Sequence, residues 1–210
     1  MIIQCDFDGT IIENNLSTLI RENFAPGSWQ DIESDFLKGN ISVERSNKLQ
    51  FALIKEPKEK LQEFVRQHIK LRAGFIDFVS YCNKRHLPFV IVSSGLDFYI
   101  EPVLNEIGLD NFELYCAQTA FTSNGIEVSY YDPEERPINK GFKISYLKWL
   151  RKRGGELIYL GDGLSDLDAA YQANHVFATG NLQYLLKKNS VIYHSFSDFH
   201  HVLQIIRHLS

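Results

Sequence analysis

The sequence predicts an α/β protein, a doubly wound parallel sheet with a small helical cap inserted close to the N-terminus. Three observations predict it. Short apolar runs at residues 2–7, 88–92 and 156–160 each stop at a polar turn, Asp8-Gly9-Thr10, Ser93-Ser94-Gly95 and Gly161-Asp162-Gly163, as buried strands do. Helix-like stretches at 74–86 and 141–153 precede the second and third runs, and strands that alternate with helices pair in parallel. Between the first and second runs, about residues 15–71 show no clear strand and several helical stretches, which implies a helical unit over one edge of the sheet.

Taken in order, residues 1–14 and 72–210 are assigned to the core and 15–71 to the cap. Within the cap, Ser28 is placed to cap a helix ending at Gly39-Asn40 and Ser42 to cap the next, while Pro57 suits the first turn of a third that ends near Lys70. Phe75, Phe78 and Tyr81 fall at helical spacing and read as core. Residues 96–107 read as a helix, and the flanks of Asn124-Gly125 as a β-hairpin with a tight turn. Arg151-Lys152-Arg153 before Gly154-Gly155 fits a helix C-terminus, where cations complement the dipole and glycine ends the helix.

Composition excludes several classes. With 210 residues and 44% hydrophobic side chains, the chain supports one main globular domain with room for a small insert. A formal net charge of −4 gives no general attraction to nucleic acid or an anionic membrane, so neither is expected as a partner. No apolar run approaches the roughly 20 residues of a membrane span, and the first residues enter a strand with no basic region before it, so the protein is expected to be soluble and cytoplasmic. Cys5, Cys82 and Cys116 are odd in number and widely spaced, which points to reduced packing residues. His194, His200, His201 and His208 lack a zinc spacing and read as surface residues.

The chemistry sits where the strands end, which in open α/β sheets is the ligand-binding edge. Asp6 and Asp8, alternate residues of an extended segment, point the same way. Two carboxylates so placed repel unless a proton or cation separates them, and Mg²⁺ takes hard oxygen ligands of this kind. An acidic turn would read the same way. Ser93-Ser94-Gly95 opens the helix-like 96–107, and hydroxyls with free N–H groups at a helix start suit a phosphoryl group, as they also suit a plain helix cap. Lys143 lies near the start of a helix, where most lysines are solvated. In Gly161-Asp162-Gly163-Leu164-Ser165-Asp166 the two acids are placed for one divalent ion, and the leucines at 164 and 167 exclude a calcium EF-hand loop. Acidic or Ser clusters at the ends of all three apolar runs, with a lysine between the second and third, are poorly explained by chance.

Asp6-Phe7-Asp8-Gly9-Thr10, Val92-Ser93-Ser94-Gly95, Lys143 and the 161–166 loop resemble the four motifs of the haloacid dehalogenase superfamily in its phosphatase branch. The helical insert directly after the first motif is similar to that of the phosphoserine-phosphatase-like members. Asn23-Phe24-Ala25-Pro26, Ala73-Gly74-Phe75, residues 93–99 and the tail 196–209 are similar to a phosphatase family of methionine salvage that acts on an enol phosphate.

The resemblance implies a Rossmann-like core and a role for each residue. Asp6 would be the nucleophile that forms an aspartyl-phosphate, and Asp8 the general acid and base. A carboxylate oxygen of Asp6, the Asp8 carbonyl and Asp162 would hold Mg²⁺, with Asp166 as a nearby or water-mediated support. Thr10, Ser93, Ser94, Gly95 and Lys143 would bind substrate phosphate. Phosphoserine phosphatases carry a glutamate for the substrate ammonium where this chain has neutral Asn15, so a small neutral phosphorylated metabolite is expected as substrate. Phe24, Trp29, Phe36 and Phe51 of the cap offer apolar surface to such a substrate or to the cap's own core. The alternatives are phosphoserine itself, a phosphotransferase of the same superfamily, or a non-catalytic binding protein of this fold. A homodimer is left open.

Overall fold

The computed structural model describes residues 1–109 and 112–209. Among these, eight strands form one sheet. Its centre is β1 (Ile2–Cys5), paired in parallel with β2 (Phe89–Leu96) on one side and β6 (Leu157–Gly161) on the other. These are the three apolar runs, and every residue in them is buried, as central parallel strands covered on both faces require. Beyond β6 lie β7 (His175–Ala178) and the two-residue β8 (His194–Ser195), both parallel. On the other side β3 (Glu113–Thr122) does two jobs. Its first half pairs in parallel with β2, and from Gln118 onwards it pairs antiparallel with β4 (Gly125–Tyr131), which carries the short β5 (Pro137–Ile138). The expected hairpin is present, with Phe121 opposite Ile126 and Thr122 opposite Gly125, and it is longer than its flanking sequence implies.

Helices cover the sheet. α5 (Phe75–Lys84) packs on the C-terminal α10 (Phe199–Leu209): Phe75 and Phe78 lie 5.0 and 5.1 Å from Phe199, ring to ring, and both also touch Phe89 of β2. Phe75 and Phe78 are core, as their spacing implies, while Tyr81 is half-buried at its edge. α6 (Asp97–Glu106), α7 (Phe142–Arg151), the single-turn α8 (Leu167–Ala170) and α9 (Gly180–Lys188) complete the alternation with strands.

The segment after β1 folds into α1 (Leu16–Phe24), α2 (Trp29–Leu37), α3 (Val43–Phe51) and α4 (Lys58–His68). Asn15 caps α1, its Oδ1 accepting from Thr18 N at 2.8 Å, and Ser42 caps α3 by accepting from Arg45 N at 3.1 Å. Ser28 precedes α2 but is not a side-chain cap. Its backbone is already helical (φ −72°, ψ −9°), so its hydroxyl does not meet the first free N–H groups. Pro57 stands one residue ahead of α4, and that helix stops at His68, short of Lys70.

Polar contacts strap α3 to the sheet. Buried Glu44 accepts from Phe142 N at 2.7 Å, and Asn47 Nδ2 donates to the Ser94 carbonyl at 2.9 Å and to Tyr130 Oη at 2.7 Å. The hairpin tip braces the same helix. Gly125 has φ +133°, and a Cβ there would come within 2.8 Å of the Ala52 carbonyl carbon. Gly125→Ala should therefore lower stability by about 1 kcal/mol or more, since it adds both a strained φ and a backbone clash. Gly27→Ala, with nothing within 4 Å of its Cβ position, should be near neutral. Urea midpoints for the two variants test the pair, and equal midpoints would refute the bracing role of Gly125.

Candidate active site

The site grows from the C-terminal ends of β1, β2 and β6. β1 stops at Cys5, and Asp6 stays aligned by donating its N–H to the Leu160 carbonyl at 3.0 Å. The chain then turns around the Phe7 carbonyl, which accepts from the N–H groups of Thr10, Ile11 and Ile12 at 2.8 to 3.2 Å. Asp6 and Asp8 thus share a cavity as residues of a turn, not as alternate positions of one strand. Gly9 has φ +73°, and a Cβ there would strike the Asp162 carboxylate, so glycine lets the two acidic loops meet. Arg72 pins the same turn: Nε donates to the Thr10 carbonyl at 2.7 Å and Nη2 to the Gly9 carbonyl at 2.6 Å.

The four clusters converge on a cavity of about 130 Å³ lined by Asp6, Asp8, Ser93, Ser94, Lys143 and Asp162, with Gly95 at its margin. Lys143, in the first turn of α7, is buried rather than solvated. Its Nζ lies 2.8 Å from Asp6 Oδ1 and 2.6 Å from Asp166 Oδ1. Burial works against its charge, yet the Asp166 and Asp6 carboxylates outweigh that and hold its pKa above the ordinary lysine value. Burial pushes Asp6 up to about 7, opposed by Lys143, and Asp8 up to about 6, opposed by the Tyr99 hydroxyl. Asp162 is raised well above the carboxylate range by burial and by the charges of Asp166 and Asp6.

Asp166 organises this cluster. It is fully buried, with Oδ1 accepting from Lys143 and from Tyr159 Oη at 2.5 Å and Oδ2 accepting from the N–H groups of Asp162 and Gly163 at 3.0 and 2.8 Å. Oxygens of Asp6, Asp162 and Asp166 lie within 4.8 Å of one another, the only such metal-ligand group among the described residues. Hard oxygen donors around one point, two of them raised by burial and then by neighbouring carboxylate charge, fit a divalent cation. Because both Asp166 oxygens already accept protein donors, Asp6 and Asp162 are the side chains with capacity left for it.

The Ser93 loop differs from expectation. β2 runs through to Leu96 and α6 begins only at Asp97, so Ser93, Ser94 and Gly95 end a strand rather than start a helix. Gly95 N–H is occupied, donating to Ser93 Oγ at 3.0 Å. Ser94 lines the cavity, and its Oγ is buried without a hydrogen-bond partner. Thr10 has a different place from the one expected of it: it is fully buried and lies outside the cavity lining, where its carbonyl serves Arg72. Asn15 borders the cavity with its side-chain oxygen committed to capping α1. Of the four insert aromatics, Phe36 lines the cavity, while Phe51 is buried and Phe24 packs on Phe64 at 5.0 Å.

Sequence reasoning missed Tyr99, Tyr159, Arg72, Arg21 and Glu33. Tyr99 Oη donates to Asp8 Oδ2 at 2.5 Å, while Leu16 N donates to Asp8 Oδ1 at 3.0 Å, so both oxygens of that carboxylate are held. Arg21 and Glu33 line the cavity from α1 and α2. None carries a local signal, since each meets its partner only through the fold. The histidines form no metal-ligand group among the described residues, and all three cysteines are free.

A mostly parallel sheet with two aspartates after its first strand, a serine after the next and a lysine bridging to a second acidic loop defines a class of hydrolase. Residues 3–171 match the haloacid dehalogenase-like hydrolase family, and the chain belongs to it. A 2-hydroxy-3-keto-5-methylthiopentenyl-1-phosphate phosphatase of Bacillus mycoides (strain KBAB4) is 32% identical over 209 residues, 98% of this chain and 95% of that protein. A protein of the same name from Geobacillus thermodenitrificans (strain NG80-2) is 32% identical over 192 residues, 90% and 86% of the two chains. Among solved structures, a phospho-aspartyl intermediate analogue of phosphoserine phosphatase matches with a TM-score of 0.74 at 20% identity over 97% of each chain, a likeness of fold.

Lys143→Met should destabilise the protein by about 3–5 kcal/mol in the absence of divalent cations, because Asp6 and Asp166 lose their shared counter-charge in a buried place. Tyr159→Phe removes one neutral donor and should cost about 1–2 kcal/mol. The check is a pair of urea unfolding curves at neutral pH. A Lys143→Met loss no larger than that of Tyr159→Phe would show that the lysine is not the charge balance of the site.

Proposed function

We propose that this protein is a Mg²⁺-dependent phosphomonoesterase that hydrolyses a small phosphorylated metabolite through an aspartyl-phosphate on Asp6. The carrying observation is the contact of Lys143 with Asp6 in a cavity shared with Asp8, Asp162 and the unpartnered Ser94 hydroxyl. In this reading residues 1–14 and 72–210 are the catalytic core and 15–71 the cap.

Asp6 Oδ attacks phosphorus as the P–O bond to the organic group breaks, and Asp8 gives the leaving alkoxide its proton. Water then attacks the same phosphorus, Asp8 takes its proton, and the bond to Asp6 breaks to release phosphate. Asp6, the Asp8 carbonyl and Asp162 would hold Mg²⁺, whose positive charge offsets repulsion between the carboxylate and the phosphate dianion. Asp166 acts through Asp162 and Lys143, which it fixes by hydrogen bonds. Ser93, Ser94 and Lys143 hold the peripheral phosphoryl oxygens, which neither attack nor leave and travel with phosphorus, and preorganised donors of that kind are strongest in a loose, charge-dispersed transition state. Thr10 contributes by shaping the turn that presents Asp6 and Asp8.

The relatives' names support the methionine-salvage enol phosphate as first candidate substrate. Among the described residues no helix is long and apolar enough to cross a membrane.

Asp6→Asn should lower phosphate release by about three orders of magnitude or more while leaving the unfolding curve similar, as expected for loss of a covalent nucleophile. Recovery of most activity in that variant would defeat the covalent route. Activity should also vanish in excess chelator, return with Mg²⁺, and be suppressed by Ca²⁺, whose larger and looser shell disturbs in-line geometry. Full turnover in chelator would contradict the cation's role. For substrate choice the measurement is kcat/KM for the enol phosphate, phosphoserine and a sugar phosphate. A tenfold or greater preference for phosphoserine, about 1.4 kcal/mol, would remove the enol phosphate as candidate.

A further inference from the structure

We propose that Arg72, which lies outside the cavity lining, is a positioning residue for the hydrolysis: by clamping two successive carbonyls of the turn after β1 it fixes the directions of Asp6 and Asp8, and its loss shows in turnover rather than in substrate binding. The inference goes beyond the phosphatase reading and rests on it. Arg72 stands in the connection between α4 and α5 and is 9% exposed. All three of its side-chain nitrogens donate to main-chain oxygens, and none to a carboxylate. Nε reaches the Thr10 carbonyl at 2.7 Å, Nη2 the Gly9 carbonyl at 2.6 Å and Nη1 the Ser197 carbonyl at 2.9 Å. Its own N–H donates to the Ile11 carbonyl at 2.9 Å. The Phe196 ring lies 5.7 Å from the guanidinium, so the segment after β8 holds the group from the side away from the turn.

A guanidinium donates along fixed directions in its own plane, and Nε and Nη2 share one edge of it, so this fork is satisfied only by two acceptors lying side by side. Successive carbonyls meet that condition in a turn and not in a strand. Here Gly9 holds φ +73°, and a Cβ on it would strike the Asp162 carboxylate, so the clamped residue is also the one at which the two acidic loops meet. The Phe7 carbonyl already accepts from three N–H groups and the Ile11 carbonyl from Arg72 N, while the fork takes Gly9 and Thr10. Of the carbonyls from 7 to 11, only that of Asp8 accepts from no donor among the described residues. The turn is thus held in the one arrangement that leaves this oxygen uncommitted and both carboxylates lining the cavity. Burial lowers the pKa of Arg72, and the charges of Glu13 and Asp162 oppose this, so the clamp also sets a second cation near the acids that Lys143 balances. A misplacement of about 1 Å at reacting groups costs about 100-fold in rate, which is the scale on which such a clamp acts.

The test compares wild type with Arg72→Met and Arg72→Lys in three measurements: kcat and KM for p-nitrophenyl phosphate with Mg²⁺, urea midpoints, and amide hydrogen exchange resolved by peptide in the absence of Mg²⁺. Arg72→Met should lower kcat by about 100-fold with KM within about threefold of wild type. It should also speed exchange in the peptide covering residues 6–13 while leaving β6 at the wild-type rate. Arg72→Lys keeps the charge but cannot span both carbonyls, so it should lose about tenfold in kcat, and it takes the place of the methionine variant if that one does not fold. Millimolar guanidinium ion should restore part of kcat to Arg72→Ala by returning the missing group to its place. A role in folding alone would lower the midpoint, speed exchange in the turn and β6 together and leave kcat per folded molecule unchanged. A role in substrate binding would raise KM at constant kcat. Either result overturns the proposal. If wild type releases phosphate from no ester, the phosphatase reading falls and exchange decides the clamp alone: a wild-type rate over residues 6–13 in Arg72→Met overturns it.

Discussion

The structure depends on one buried ammonium group. Lys143 stands between Asp6 and Asp166, from three elements that are remote in sequence, and it is the cation that lets two carboxylates sit together out of water. Asp166 converts this into geometry by spending its other contacts on Tyr159 and on the N–H groups of Asp162 and Gly163. A loop on β6 and a turn on β1 are thereby held in register, and Gly9 and Gly161 are the positions where side chains would collide with the acids. The values of Asp6 and Asp162 are raised by burial first and by the neighbouring carboxylates second, and a divalent cation would neutralise that carboxylate charge.

Much of this was legible in the sequence because the candidate site residues sit beside the most strongly patterned elements. β1, β2 and β6 are buried on both faces and so read as continuous apolar runs, each pointing at its polar turn. β5 and β8 have two residues each and leave no pattern to read. Of β3 only the hairpin end was legible, because the strand changes partner midway and its burial is irregular from end to end. At the site, Asp6, Asp8, Ser93 and Asp162 announce themselves by local motif. Lys143 has only its partners to distinguish it from a surface lysine, and these lie 23 and more than a hundred residues away.

The insert was legible as helical but not as a binding surface. Asn15 looked like the position that sets substrate charge, yet its oxygen is used to start α1. The carboxylate that does border the cavity is Glu33, eighteen residues on and on a different helix, which no spacing rule connects to Asp6. Helix capping and substrate recognition draw on the same residue types, and only the fold tells which use a given side chain has.

Glu44 shows how the insert and the Lys143 helix are joined. The first N–H groups of α7 have no intrahelical acceptor, and a buried carboxylate from α3 satisfies the one at Phe142, next to Lys143. The negative charge also faces the positive end of that helix, which favours it there. Asn47 of the same helix α3 meets the Ser94 carbonyl, in the loop whose hydroxyls line the cavity. One face of α3 therefore touches both the Lys143 helix and the Ser93 end of β2. The Asn47 bond, between neutral groups, is worth about 1 kcal/mol net, and the Glu44 bond, with its carboxylate acceptor, about 1.5–3 kcal/mol. Seating α3 on the sheet therefore fixes the Lys143 helix and the Ser93 end of β2 relative to one another.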